Sequence, residues 1–327
     1  MTGLQKYNEE QKNKCKNIVN NNLHITHLEE FYDYMYTLSE TTVYYYLSIV
    51  CSFINKIDKR EEELELNDFT KYMRMVSYDS TPSYQIAVYS ALKKYSQFLY
   101  TTKVIDEDFM RTIKRPDPEE LDSTIEKREK GYLDEDEIKK YINQVSEGAG
   151  SHRAKARQEE WKERDLLLIQ LFLNTGLRCA AIYKLDVSSI DFENKKLVVR
   201  DKGNKRNEVV LSEHVIKLMN EWIEKRHFLL KGVEEEALFI SNQRKRMSQL
   251  AISNVVHKYA ENIQDKNITP HKLRATYGTQ LYNKTNDVYF VQQMMNHSNP
   301  KTTELYIRGM DNDNKIKAAD IMNSLTS

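Results

Sequence analysis

Two arginines, two histidines and a tyrosine, set in three short segments, are the residues of this chain best suited to chemistry. The segments are Asn174-Thr175-Gly176-Leu177-Arg178, Thr269-Pro270-His271-Lys272-Leu273-Arg274, and the stretch from Asn296-His297 to Leu305-Tyr306. Arginine forks hold a phosphate bidentately. Histidine moves a proton near neutral pH, and tyrosine can be a covalent nucleophile. Arg178, His271, Arg274, His297 and Tyr306 together therefore suit transfer of a phosphodiester. Lys202, with Lys205 and Arg206 close behind it, adds positive charge that can meet further phosphates.

The neighbouring residues say how these groups must be held. Thr269-Pro270 reads as a helix cap followed by the first helical residue. His271 and Arg274 then stand i and i+3 on one face of the opening turns, where the helix N-terminus also favours an anion. Gly176 is placed to end the preceding helix, with Arg178 just beyond it. His297 and Tyr306 are nine residues apart, about half a turn out of phase on one unbroken helix. Asn299-Pro300 supplies a break between them. Lys202 falls near the tip of an expected hairpin, where a lysine commonly guards the edge or, alternatively, reaches into a groove beside a phosphate.

The rest of the chain reads mainly as helix. In residues 1–115, Thr26, Ser39, Asn67 and Thr81-Pro82 are candidate helix starts, with Leu28, Phe31, Leu47, Val50, Phe53, Leu92, Tyr95 and Leu99 on apolar stripes. Such stripes make the core of a helix bundle; the exposed Lys93 and Lys94 could touch phosphates from its surface. Residues 116–131 combine Pro, Gly and dense charge, the composition of a linker. From 132 onward helices return: one opened by Asp134, one over 158–174, and others over 213–230, 248–263, 270–283 and 287–295. Between them Ile190, Leu197–Val199 and Val209–Leu211, with turns at Asn194-Lys195 and Gly203-Asn204, predict a small antiparallel sheet.

The chain has 327 residues, 30% charged and with no net charge. Neutrality by itself argues against a nucleic-acid ligand. The distribution does not, because residues 164–327 carry 25 basic and 19 acidic side chains, a positive excess on the stretch that holds the motifs. Cys15, Cys51 and Cys179 are scattered and odd in number, as in reduced cytoplasmic proteins. No apolar run is long enough for a membrane span. No Walker A loop, GxGxxG, HExxH or CxxC pair occurs.

Taken in order, these segments resemble the catalytic signature of the tyrosine recombinase (phage integrase, Xer-like) family. Arg178 in TGLR resembles its first arginine, Lys202 in DKGNK its hairpin lysine, and His271 and Arg274 in HKLR its HxLR. His297 resembles its second histidine and Tyr306 its nucleophile. Two positions depart from the pattern: Ala181 stands where an acidic residue is usual, and Asn296 where a glycine is usual.

The resemblance implies a mainly α fold with a small antiparallel β-sheet. It divides the chain into a helical, SAM-like core-binding domain over 1–115, a linker over 116–131 and an α+β catalytic domain over 132–327. It implies cleavage and rejoining of double-stranded DNA through a 3′-phosphotyrosine and a Holliday junction. Inverted core sites, a homotetrameric synapse and accessory proteins go with it, and neither metal nor other cofactor. The segment after Tyr306, with Ile316, Ala319, Met322 and Leu325 on a stripe, would dock on a neighbouring protomer or on its own domain. Integration of a mobile element and resolution of DNA dimers both fit. Type IB topoisomerase-like relaxation, or DNA binding without catalysis, are the alternatives.

Overall fold

The structure, a computed structural model, describes residues 3–117, 132–200, 206–260, 263 and 267–296. Lys202, Lys205, His297, Tyr306, most of the expected linker and the stripe from Ile316 to Leu325 lie outside the described residues. The chain divides into two compact units, one of Gln5–Leu121 and one of the residues from Asp122 onward.

The first unit holds α1 (Gly3–Asn21), α2 (Leu28–Tyr34), α3 (Glu40–Ile57), α4 (Leu66–Asp79) and α5 (Pro82–Thr101). Its core gathers Phe31, Leu47, Phe53, Phe69, Leu92, Tyr95 and Phe98. Burying each such side chain is worth about 1.5–3 kcal/mol. Ser39 and Thr81 cap α3 and α5 as expected, each side chain accepting the N–H three residues on. Two other starts differ. Helix α2 begins after His27, not Thr26, because the His27 N–H and Nδ1 both reach Glu61 Oε2 at 3.0 Å. Helix α4 begins at Leu66, not after Asn67, because Glu65 and Asp68 cap each other reciprocally. Glu61 is buried and also accepts the Tyr95 hydroxyl, so one carboxylate pins α2 to α5. Lys93 Nζ lies 5.9 Å from the Tyr89 ring centre, and Lys94 Nζ 4.7 Å from that of Tyr34.

The second unit is built on a helix that is apolar nearly all round. After α6 (Glu135–Glu147) and α7 (His152–Glu159) comes α8 (Lys162–Thr175), in which Leu167, Leu168, Ile169, Leu171 and Phe172 are all fully buried. Around α8 pack α6, α10 (Glu213–Leu230), α11 (Gln249–Lys258) and α12 (Pro270–Thr285). The helix expected over 158–174 is α8, which starts later, at Lys162, and the separate α7 ends just ahead of it at Glu159. Ser151 caps α7, and a buried ion cluster sets the start of α8. In it Asp165, fully buried, accepts Arg164 Nε at 2.9 Å, Lys258 Nζ at 2.7 Å and the Tyr259 hydroxyl at 2.7 Å.

A short helix, α9 (Cys179–Tyr183), follows α8. The strands β1 (Ile190–Asp191), β2 (Lys196–Arg200) and β3 (Arg206–Val210) then form an antiparallel sheet in that order. Lys195, in the expected turn, takes a left-handed φ of 52°. Helix α11 ends at Lys258, short of the expected 263, and α13 (Val288–Met294) closes the described chain. The fold is mainly α with a small antiparallel sheet. Among the described residues no helix is long and apolar enough to cross a membrane.

Candidate active site

Helix α12 starts as its sequence dictates. The Thr269 side chain accepts the Lys272 N–H at 3.1 Å, and Pro270 occupies the first helical position. His271 and Arg274 therefore fall in the opening turns, beside the positive end of the helix dipole. Their environments differ. Arg274 is only 5% exposed, whereas His271 keeps open surface.

Arg274 joins the two other motif segments. Its Nη1 donates to the Gly176 carbonyl and its Nη2 to the Met295 carbonyl at 2.5 Å. One guanidinium thereby links the turn before Arg178, the start of α12 and the residues just ahead of His297. Gly176 caps α8 with a left-handed φ of 58°. A Cβ there would overlap the ring of Tyr277, one turn beyond Arg274, so glycine is required by backbone conformation and by packing alike. Gly278 allows a second close approach, since a Cβ there would overlap Met295 Sδ. That contact seats α13 on α12.

Arg178 is exposed and stands at the N-cap of α9. Its charge is felt at His271, whose imidazole is held below its ordinary value first by partial desolvation, then by Arg274, then by Arg178. The neutral ring is the form that can take a proton. Arg178, His271 and Arg274 are thus brought into one electrostatic cluster although 96 residues of chain separate the first from the last. Ala181 is buried in α9, its N–H bonded to the Arg178 carbonyl at 2.8 Å. Asn296 takes a left-handed φ of 49°, a conformation that asparagine adopts more readily than most residues.

Several other residues serve the site without belonging to any motif. Tyr277 covers Gly176, and burial raises its hydroxyl pKa against the lowering effect of Arg274. A glycine within a helical pattern signals close packing, and Gly278 carries that signal. Nothing local in the sequence marks Tyr277. Two arginines outside the motifs, Arg246 and Arg226, spend donors on backbone carbonyls. Arg246 donates to the Tyr183 and Leu185 carbonyls at 2.8 and 3.0 Å. Arg226 donates to the Ala237 carbonyl at 2.9 Å. Arg206 is exposed on β3 and lies 3.4 Å from Glu208.

A buried arginine and an accessible histidine with a lowered pKa stand at a helix N-terminus with a second arginine alongside, a set chemically suited to an anion, on a mainly α scaffold. The profile of the phage integrase family matches residues 132–313, more than half the chain, and the chain belongs to that family. Tyrosine recombinase XerC of Caldanaerobacter subterraneus subsp. tengcongensis is 30% identical over 252 residues, 75% of this chain and 65% of that protein. XerC of Alcanivorax borkumensis is 31% identical over 144 residues, 44% of this chain and 47% of that protein. The chain thus spans less than two thirds of either relative. Among solved structures, the XerH site-specific recombinase bound to palindromic difH substrate has a similar fold. Its TM-score is 0.72 at 18% identity, over 96% of this chain and 89% of that one. A lambda integrase dimer bound to a COC′ core site gives a TM-score of 0.60 at 14% identity, over 85% and 93%.

Proposed function

We propose that this protein is a site-specific DNA recombinase that cuts and rejoins double-stranded DNA through a 3′-phosphotyrosine intermediate. The observation that carries the reading is the cluster of Arg178, His271 and Arg274 at the start of α12, which supplies two phosphate-binding cations and a neutral base. Family membership and recombinase relatives support it.

In this reading Tyr306 attacks the scissile phosphorus and releases a 5′-hydroxyl. A tyrosine with pKa about 10 needs help to lose its proton, and His271 is the base that takes it. Arg178 and Arg274 hold the non-bridging oxygens and stabilise the charge of the pentacoordinate phosphorus. His297 donates a hydrogen bond to the same phosphate, and Lys202 protonates the departing 5′-oxygen. The 5′-hydroxyl of a second duplex then attacks the phosphotyrosine, so strands exchange without ATP. Four active sites are needed for two duplexes, which makes the working form a homotetramer on inverted core sites, joined through a Holliday junction. Lys93, Lys94, Lys205 and Arg206 are backbone contacts that position the duplex.

Trapping on nicked suicide duplexes tests the reading. Wild type should form a denaturant-resistant protein–DNA adduct and Tyr306→Phe none. An adduct that persists in Tyr306→Phe would move the nucleophile elsewhere. DNA binding without an adduct from wild type would leave a binding protein only.

A further inference from the structure

Helix α12, which carries His271 and Arg274, is tied on its other side to the chain that leads into α6. The Leu133 N–H donates to the Thr276 hydroxyl at 3.0 Å, and the Leu133 carbonyl accepts the Gln280 side-chain amide at 3.0 Å. Thr276 and Gln280 are neighbours at i and i+4, so one helix face takes both backbone groups of a single residue. Leu133 is 2% and Thr276 1% exposed, so water does not compete for the first of these bonds. Thr276 stands two residues from Arg274, about 200° around the helix. Arg274 therefore holds α12 from one side, through the Gly176 and Met295 carbonyls, and Leu133 holds it from the other.

The Thr276 hydroxyl also reaches into the motif itself. It donates to the Lys272 carbonyl at 2.9 Å, and Lys272 lies between His271 and Arg274. A hydroxyl has one proton to give and two lone pairs that accept. With the proton spent on Lys272, its acceptor side is what Leu133 meets. A chain of bonds results, from Leu133 N–H to Thr276 Oγ1 to the Lys272 carbonyl, ending on the backbone of the turn that bears the imidazole and the guanidinium. Bonds in such a chain polarise one another, and a threonine bonded back to the i−4 carbonyl bends its helix locally. The direction of that turn is thus set in part by a residue 143 positions before Thr276. The pair of Lys284 Nζ and Glu135 Oε1, at 2.5 Å, joins the same segments at an exposed place, where an ion pair holds little.

We propose that Thr276 and Gln280 are positioning residues for DNA cleavage: by clamping Leu133 they fix the turn of α12 that carries His271 and Arg274. This role rests on the recombinase reading, which supplies the reaction. Both side chains act through the turn and not on the phosphate.

The test applies three readouts to Thr276→Val, Thr276→Ser, Gln280→Met and Lys284→Ala, each well below its melting temperature. They are the single-turnover rate of adduct formation on a saturating nicked suicide duplex, the affinity for that duplex, and the NMR midpoint of the His271 ring. Valine keeps the shape of threonine without the hydroxyl. Thr276→Val should slow cleavage by about tenfold to a hundredfold, the penalty for misplacing a group by up to about 1 Å. Affinity should change little, because phosphate contacts across the whole interface dominate it. The His271 midpoint should rise toward the ordinary value of about 6.5, since desolvation, Arg274 and Arg178 hold it down only in the native placement. Thr276→Ser, which keeps the hydroxyl, should recover both rate and midpoint. Gln280→Met should act in the direction of Thr276→Val, and it decides the matter if that variant does not fold. Lys284→Ala should match wild type. A folded Thr276→Val or Gln280→Met protein with the wild-type rate and midpoint would overturn the clamp. So would a serine variant as slow as the valine one, or Lys284→Ala slowed to the same degree. If wild type formed no adduct, the recombinase reading would fall instead, while the His271 midpoints would still decide the clamp.

Discussion

Arg274 donates a guanidinium hydrogen bond to the carbonyl of Gly176, 98 residues earlier in the chain. A residue assigned to phosphate binding is therefore also a strut of the fold. Arginine offers five N–H donors in a rigid fork, so it can hold the Gly176 and Met295 carbonyls and still present donors to an anion. The arrangement also couples the site to the core, because the turn that precedes Arg178 is held by the same side chain that reaches the residues before His297.

That double role separates the two arginines experimentally. Arg274→Ala should destabilise the second unit by about 2–4 kcal/mol, since two carbonyls lose their buried donor. Arg178→Ala, at an exposed position, should change stability by about 0.5 kcal/mol or less. Both should abolish adduct formation. Urea melts beside the trapping assay resolve the difference, and equal destabilisation by the two changes would contradict it.

Gly176 and Tyr277 should behave as one unit. Gly176→Ala imposes a left-handed alanine, which costs about 1–2 kcal/mol, and drives the new methyl into the Tyr277 ring. Tyr277→Ala alone opens a cavity and costs about 3–5 kcal/mol. In the double variant the overlap is gone and the cavity partly filled. The combined loss should therefore fall short of the sum by about 1 kcal/mol or more, measured in a double-mutant cycle by chemical denaturation.

The pH behaviour of His271 follows from its neighbours. Its pKa lies below the ordinary imidazole value of about 6.5, because partial desolvation and the charges of Arg274 and Arg178 disfavour the cation. Between the folded and unfolded pKa values the folded protein binds fewer protons, so this residue's contribution makes stability rise with pH across that window and level off above it. Proton NMR of the His271 ring should give a midpoint below 6.5, and Arg178→Gln should move it upward. A midpoint that does not respond to Arg178→Gln would dissociate Arg178 from the cluster.

Asp165 should prove the most sensitive ionic position of the second unit outside the site. It is fully buried among Arg164, Lys258 and Tyr259. Asp165→Ala leaves buried positive charge uncompensated and should cost about 3–5 kcal/mol. Thermal melts would show this as a large fall in Tm. Exposed Lys217→Ala, whose Nζ stands 4.0 Å from Glu221, should do almost nothing.

What the sequence determined by itself was local. A threonine before a proline starts a helix whatever surrounds it, so the placement of His271 and Arg274 in the opening turns of α12 could be read directly. A glycine after an apolar run marks a helix end, which located the turn before Arg178. The alternation through Leu197 and Val199 marked a strand, and the family likeness of the motifs matches the family to which the chain belongs. The polar run of α1, with little more than Cys15 and Val19 buried, gave too weak a stripe to single out. The starts at Leu28, Leu66 and Lys162 depended on partners that neighbouring residues do not announce, such as Glu61 reaching back to His27. Tertiary structure alone decided which charges are spent on backbone carbonyls and which gather around His271. Arg246 and Arg226 spend their donors on backbone carbonyls, and Arg164 joins a buried cluster. Arg178 and Arg274 converge on His271 because α8 and α12 pack side by side, with Gly176 small enough to admit Tyr277. Composition cannot distinguish these arginines, because the difference lies in which carbonyls and carboxylates the folded chain brings within reach.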